Sequence, residues 1–265
     1  MSEEILCRKE NGVAVVTLNR PERLNALTRG MLGALGPLLA DLAEDPAIGC
    51  VVLTGAGGAF CSGGDVRVQA AAAGKPSEQS PEQRADSLRA SMEAARLLHD
   101  MPKPTIAMVN GVAAGAGMSL ALACDLRVAS TSARMTTAFA KVGLSGDFGG
   151  TYFLTRIVGP ALARELYFTA EVMSVERLFE LRLVSRVVDY TVLETETMAI
   201  ATAFANGPRT AFRYIKRNLK AAEEGTLSDV LDAEAIGMMR CRETPDHAEA
   251  ARAFVEKRKP VFGGT

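Results

Sequence analysis

The chain is poor in the residues that usually signal a metal site or a stored charge. Of its 265 residues only two are histidine, His99 and His247, and its five cysteines form no C-x-x-C pair. Zinc-ligand spacing is therefore absent. Cys7, Cys50, Cys61, Cys124 and Cys241 read as reduced, mostly buried thiols of a cytoplasmic protein. The net charge is −1, which argues against a dedicated nucleic-acid binder. No apolar stretch reaches transmembrane length. The opening Met-Ser-Glu-Glu lacks the basic start and apolar run of a signal peptide. There is no G-x-G-x-x-G dinucleotide fingerprint, no G-x-x-x-x-G-K-[ST] phosphate loop and no G-x-S-x-G elbow. No sequence repeat of fixed period stands out.

What the chain has is apolar bulk and two glycine-rich turns. Apolar residues make up 48% of it, enough for one large domain or a domain with an appendage. Thr105 to Val109 reads as a strand. It runs into Asn110-Gly111, then Gly115-Ala116-Gly117, then an apolar helical pattern through Leu120 and Ala123. Cys50 to Thr54 is a second β-branched strand, followed by Gly55-Ala-Gly-Gly-Ala-Phe-Cys-Ser-Gly-Gly-Asp65 and a helix from about Val66. Glycine permits turns closed to other residues and lets a ligand approach the backbone. The first N–H groups of a helix lack internal partners and sit at its positive end. Two such units can aim one N–H each at a single oxygen, which is oxyanion-hole geometry. Either loop taken alone reads better as a tight turn in an α/β core; the pair together points to the oxyanion hole.

Along the chain, Ile5 to Arg8 and Val13 to Leu18 form a hairpin around Asn11-Gly12, and Pro21 closes the second strand. Thr28 caps a helix carrying Met31, Leu35, Leu38, Leu39 and Leu42, which Pro46 ends. Residues 70–82 read as a mobile loop. Ser87 to Asp100 reads as one amphipathic helix with Leu88, Met92, Ala95 and Leu98 on one face, and His99 as a charge at its end. Asp125 to Ala129 and Arg134 to Thr136 are short strands. Gly149, Gly150 and Thr151 start a helix through Ile157, with Thr151 an alternative cap. Helices at 165–168 and 175–179 and a strand at 184–188 follow. Beyond about Val192 only helical patterns remain: 198–204, 211–222, 227–239 and 245–257. This divides the chain into a core, 1–195, and a helical region, 196–265.

Ala59-Phe-Cys-Ser-Gly-Gly-Asp65 and Asn110-Gly-Val-Ala-Ala-Gly-Ala-Gly117 resemble the two oxyanion-hole motifs of the enoyl-CoA hydratase/isomerase (crotonase) family. Asn19-Arg-Pro-Glu-Arg-Leu-Asn-Ala26 is similar to its N-terminal signature, and Phe254-Val-Glu-Lys-Arg-Lys-Pro-Val-Phe262 to its tail. The resemblance implies an α/β fold, a ββα spiral core with two sheets and a C-terminal helical trimerisation region. It implies an acyl-CoA substrate, with coenzyme A entering as part of that substrate, no tightly bound cofactor, and no metal. It also implies a homotrimer or dimer of trimers with no nucleic-acid or membrane partner. Leu231, Ala235, Met238 and Met239 become interface residues, or else an intrachain core.

The same resemblance makes the backbone N–H groups of Gly64 and Ala116 the oxyanion donors. Ser62, Gly63, Val66 and Gly115 fall in the substrate site through their motifs. So does Asp65, which reads as a loop-fixing or capping residue rather than a base. Arg23 and Ala26 lie against the adenine end of coenzyme A, or Arg23 is a solvated charge. Phe254 and Lys257 reach coenzyme A, often that of a neighbouring subunit, or belong to a solvated charge run. The two glutamates with which the family's hydratases activate water fall at Ser119 and Phe139 here. Hydration needs an acid and a base, and neither residue supplies one. One carboxylate remains nearby, Asp147 in Gly143-Leu-Ser-Gly-Asp-Phe-Gly-Gly-Thr151. This resembles the isomerase branch that includes 1,2-epoxyphenylacetyl-CoA isomerase, where an aspartate ahead of the Gly-Gly helix is the acid/base. Asp147 is then a proton shuttle for double-bond isomerisation, or an N-cap for the helix after it. Hydration or thioester hydrolysis, and a catalytically silent CoA-binding protein, are the alternatives.

Overall fold

The hairpin is set by two left-handed residues, Asn11 at φ 49° and Gly12 at φ 75°. The computed structural model describes residues 4–72, 74 and 78–263. The turn joins β1 (Ile5–Glu10) to β2 (Val13–Leu18) as an antiparallel pair. Helix α1 (Arg29–Glu44) begins where Thr28 Oγ1 accepts the Met31 N–H at 3.0 Å. It buries Met31, Leu35, Leu39 and Leu42. It stops at Asp45, extended because Pro46 follows.

Strand β3 (Cys50–Gly55) is buried throughout, and β4 (Ala59–Cys61) follows. Next come α2 (Val66–Ala72), α3 (Pro81–Ser91) and α4 (Glu93–Asp100). Two strands, β5 (Thr105–Val109) and β6 (Val112–Ala114), precede α5 (Ala116–Ala123). Two more, β7 (Leu126–Ser130) and β8 (Arg134–Thr136), precede α6 (Gly150–Thr169), which kinks at Gly159-Pro160. The core continues through β9 (Met173–Ser174), α7 (Val175–Glu180), β10 (Arg186–Val188) and α8 (Leu193–Ala205). The chain then runs through α9 (Arg209–Glu224), α10 (Leu227–Arg242) and α11 (Pro245–Val255).

From β3 to β8 successive strands alternate between two sheets. One has the order β1-β2-β3-β5-β7-β10 and the other β4-β6-β8-β9. Three turns of the chain, β3/β4, β5/β6 and β7/β8, each lay one strand in each sheet and then add helix, so the expected ββα spiral is present. All pairs except β1/β2 and β8/β9 are parallel. Parallel strands are buried on both faces. Ala14 and Val16 face the main core, whereas Val13 and Val15 join Cys50, Val52, Ile106, Val128 and residues of α8. All eight residues of α5 are buried, so the helix is apolar on every side and sits at the centre of the fold.

Several expectations need correction. The helix expected at Ser87 to Asp100 is two helices broken at Met92. The first starts early because Ser80 and Gln83 form a capping box and Pro81 occupies the first turn. Leu88 is exposed rather than on the buried face. The loop expected at 70–82 holds the end of α2 and the start of α3, and its residues 73 and 75–77 lie outside the described residues. Thr151 does not cap α6; Gly149, at φ 72°, stands at that position. Residue 195 falls inside α8, which packs on the larger sheet. Leu231, Ala235, Met238 and Met239 face outward on α10 in the single chain and form no intrachain core. Among the described residues no helix is long and apolar enough to cross a membrane.

Candidate active site

Strands β4 and β6 are parallel neighbours, with Ala59 opposite Val112. The chain therefore leaves both at the same end, and the two glycine turns adjoin. At Gly63, φ 92°, a Cβ would stand 2.8 Å from Ala114 O and 3.6 Å from Ala116 N. Only glycine allows that approach. Leu27 N–H donates to Gly63 O at 2.8 Å and Asp65 N–H to Leu27 O at 3.4 Å. This pairing uses the residues on either side of Gly64 and turns the Gly64 N–H away from Leu27. Ala116 is the first residue of α5, so its N–H has no acceptor in the helix. Neither N–H donates to another described residue. At Gly117 a Cβ would lie 2.7 Å from the Cβ of Cys61, which shows how closely α5 presses on the end of β4.

The N-terminal signature packs onto the first turn. Ser62 N–H donates to Leu24 O at 2.9 Å and Ser62 Oγ to Arg23 O at 3.4 Å. Arg23 is exposed, Ala26 is buried, and Val66 opens α2 with half its surface in solvent. Arg20 ties the segment together: its guanidinium donates to Ala26 O at 2.7 Å and pairs with Asp65 Oδ2 at 3.2 Å and with Glu4 at 3.2 Å. Asp65 Oδ1 accepts the N–H groups of Arg67 and Val68 at the start of α2. Burial pushes Asp65 up, but Arg20 and these N–H groups outweigh it and hold the carboxyl below its usual range. Asp65 is thus a fixed anion that locks the loop.

Asp147 differs in every respect. It lies between three residues in the left-handed region, Gly146 (φ 121°), Phe148 (φ 49°) and Gly149 (φ 72°). Such backbone in a non-glycine residue costs energy and persists only where the surroundings enforce it; Phe148 is fully buried. The helix after it is held by the Asp147 carbonyl, which accepts the Gly150 N–H at 3.1 Å, and no side chain caps it. The N-cap alternative is therefore incorrect. Asp147 Oδ1 is buried and has no hydrogen-bond partner. Burial alone pushes the carboxyl up to about 6. A carboxylate in that range suits a base working near neutral pH.

Ser119 is buried on α5 and its hydroxyl donates back to Gly115 O at 3.2 Å. Phe139 stacks on Tyr167, with ring centroids 6.1 Å apart and planes 3° from parallel. A Cβ on Gly115, at φ 52°, would meet the Phe139 ring at 3.6 Å. Two site neighbours were given no role by the sequence: Tyr167, and Cys61 inside the first motif. The Asp147 charge reaches both. Burial and then Asp147 raise the Tyr167 phenol, and burial takes the Cys61 thiol to about 12. Tyr167 is 20 positions from Asp147 and Cys61 is 86, so only the fold joins them.

Phe254 and Lys257 are not brought to this site. Phe254 is 85% exposed at the end of α11, which packs chiefly on α10. A cavity of about 1290 Å³ including its mouth lies beneath α9 against Leu122, Phe153 and Ile157. None of the sequence-predicted site residues lines it. Among the described residues no three His, Cys, Asp or Glu side chains gather as a metal site.

A family model described as Enoyl-CoA hydratase/isomerase matches residues 8–265. The 1,2-epoxyphenylacetyl-CoA isomerase of Escherichia coli (strain K12) is 38% identical over the whole of both chains. The crotonyl-CoA hydratase of Syntrophomonas wolfei is 34% identical over 98% of each. Among solved structures, an enoyl-CoA hydratase from Polaromonas sp. JS666 superposes with a TM-score of 0.89 at 35% identity, over 97% of this chain and 98% of that one. An enoyl-CoA hydratase from Bacillus anthracis gives a TM-score of 0.91 at 30% identity, over 99% of this chain and all of that one.

Proposed function

Because this chain belongs to the enoyl-CoA hydratase/isomerase family, we propose that it shifts the double bond of an enoyl-CoA by carrying one proton on Asp147. The observation that carries the reading is the buried, unpartnered Oδ1 of Asp147, in a chain whose positions 119 and 139 hold serine and phenylalanine. The ionised carboxylate takes a proton from a carbon next to the double bond. The electron pair moves onto the thioester oxygen, giving an enolate. Protonated Asp147 returns the proton to the other end of the system, the carbonyl re-forms, and no water is consumed. The N–H groups of Gly64 and Ala116 hold the oxygen while it is charged. One such donor is commonly worth about 2.7–4 kcal/mol to the transition state.

The coenzyme A part lies along Arg23 and Ala26. Phe254 and Lys257 complete its site from a neighbouring copy, because a single chain leaves Phe254 in solvent. The outward apolar residues of α10 would then be covered in a homotrimer or a dimer of trimers. The enzyme needs no cofactor beyond the coenzyme A of its substrate.

A second reading is hydration, favoured by the crotonyl-CoA hydratase among the relatives. The two separate on one panel: isomerisation of straight-chain and ring 3-enoyl-CoA thioesters against hydration of crotonyl-CoA, for the wild type and Asp147→Asn. Isomerisation lost in the variant, with crotonyl-CoA barely hydrated by either, supports the proton shuttle. Brisk hydration by the wild type overturns it. Tight CoA binding without any turnover would identify a silent member of the family.

A further inference from the structure

The positions of the two hydratase glutamates are closed by a third residue. Tyr167 lies across the loop that carries Asp147. A Cβ on Gly146 would stand 3.3 Å from the Tyr167 ring, and one on Gly150 would stand 2.5 Å from its hydroxyl and closer still to Ser119 Oγ. The ring therefore touches the loop on both sides of Asp147. The Phe139 ring lies parallel to it, with centroids 6.1 Å apart. Ser119, Phe139 and Tyr167 line one small space of about 160 Å³ with Met118, Leu122 and Leu154. Thr137 Oγ1 donates to Leu166 O at 2.9 Å and Thr136 Oγ1 to Ala170 O at 3.1 Å. These bonds pin the last turns of α6 to β8 and hold Tyr167 in place.

We propose that Tyr167 is a positioning residue whose phenol ring, wedged between Gly146, Gly150 and Phe139, keeps water from the carboxylate of Asp147. The inference rests on the reading of Asp147 as proton carrier. A dry carboxylate is a stronger base and hands its proton back to carbon rather than losing it to solvent. Phe139 and Tyr167 together occupy the place where hydration would require an ordered water. The tyrosine thereby selects the reaction without taking a proton itself.

Among the described residues, Cys61 on β4 and Tyr167 on α6 are titratable groups whose charge state feels Asp147, and Lys141 before the loop is exposed. Arg89, Arg96, His99, Asp100, Lys220 and Glu224 line a separate groove beyond Phe148 and Gly149.

The test is a carboxyl ¹³C NMR titration of Asp147 in the full-length protein, with its resonance assigned from Asp147→Asn, alongside the pH profile of kcat/KM on a 3-enoyl-CoA. Tyr167→Phe keeps the ring and should leave the midpoint near that of the wild type. Tyr167→Ala, or Tyr167→Val should alanine not fold, admits water. It should lower the midpoint by about one unit toward the ordinary carboxylate range, with the acid limb of the rate profile following. An unmoved midpoint in a folded truncation overturns the inference. So does a shift in Tyr167→Phe as large as in Tyr167→Ala. Full turnover by Asp147→Asn would sink the proton shuttle instead, while the NMR shift would still report the exclusion of water.

Discussion

Asp147→Asn should make the protein more stable while removing its activity. The carboxyl is raised from 3.8 to about 6 in the folded chain, with burial the sole cause. A group with a raised folded pKa binds its proton more tightly in the native state than in the unfolded one. The associated stability is fully present below the unfolded value and is lost as pH rises through about 6. A shift of about two units corresponds to a cost on the order of 3 kcal/mol at neutral pH. An asparagine has no charge to bury, but its amide inherits the unpartnered position of Oδ1, at a cost of about 1 kcal/mol. The net gain is then about 1–3 kcal/mol, or roughly 2–6 °C in Tm for a chain of this size. Thermal unfolding followed by circular dichroism reads it, at about pH 7.5 and again at about pH 4. The variant should melt higher at the first pH and lose its advantage at the second. An equal difference at both pH values, or a lower Tm for the variant at about pH 7.5, would mean that the carboxylate is solvated or bonded and not tuned as a base.

Other perturbations follow from the same geometry. The kcat/KM for an enoyl-CoA should fall as pH drops through about 6, because protonation removes the base, and a flat profile down to about pH 4.5 would contradict this. Gly117→Ala forces α5 off Cys61 and moves the Ala116 N–H; kcat should drop about 10²–10³-fold with the fold retained by circular dichroism. Gly150→Ala drives a methyl into Ser119 Oγ and Tyr167 Oη, and urea unfolding should show a loss of about 1–3 kcal/mol. Ser119→Ala removes only a bond to Gly115 O, so isomerisation should stay within about threefold of wild type; a hydratase using that hydroxyl would lose far more.

Local rules carried much of the architecture. Asn11-Gly12 marks its hairpin, Thr28 and Pro46 bracket α1, and the change to helix alone after residue 192 is plain in the pattern. Strands β4 and β6 were hidden inside the glycine turns because three residues are too few to show alternation. They matter because their pairing is what sets the two turns side by side. The resemblance drew attention to Asp147, but its unpartnered oxygen depends on burial by elements distant in the chain. Tyr167 was illegible for the same reason, since a tyrosine in the second half of a helix gives no hint that it folds back over that helix's own first turn. Nothing in the sequence separates Arg20 from its neighbour Arg23, yet Arg20 holds Asp65 and the first turn together.

The most direct measurement is a crystal structure with a non-reactive 3-enoyl-CoA analogue bound. It should place the thioester oxygen about 2.7–3.1 Å from both Gly64 N and Ala116 N, with an Asp147 oxygen about 3–3.5 Å from the carbon that gives up its proton. An oxygen held by only one of the two amides, or an acyl chain running away from Asp147, would contradict the mechanism.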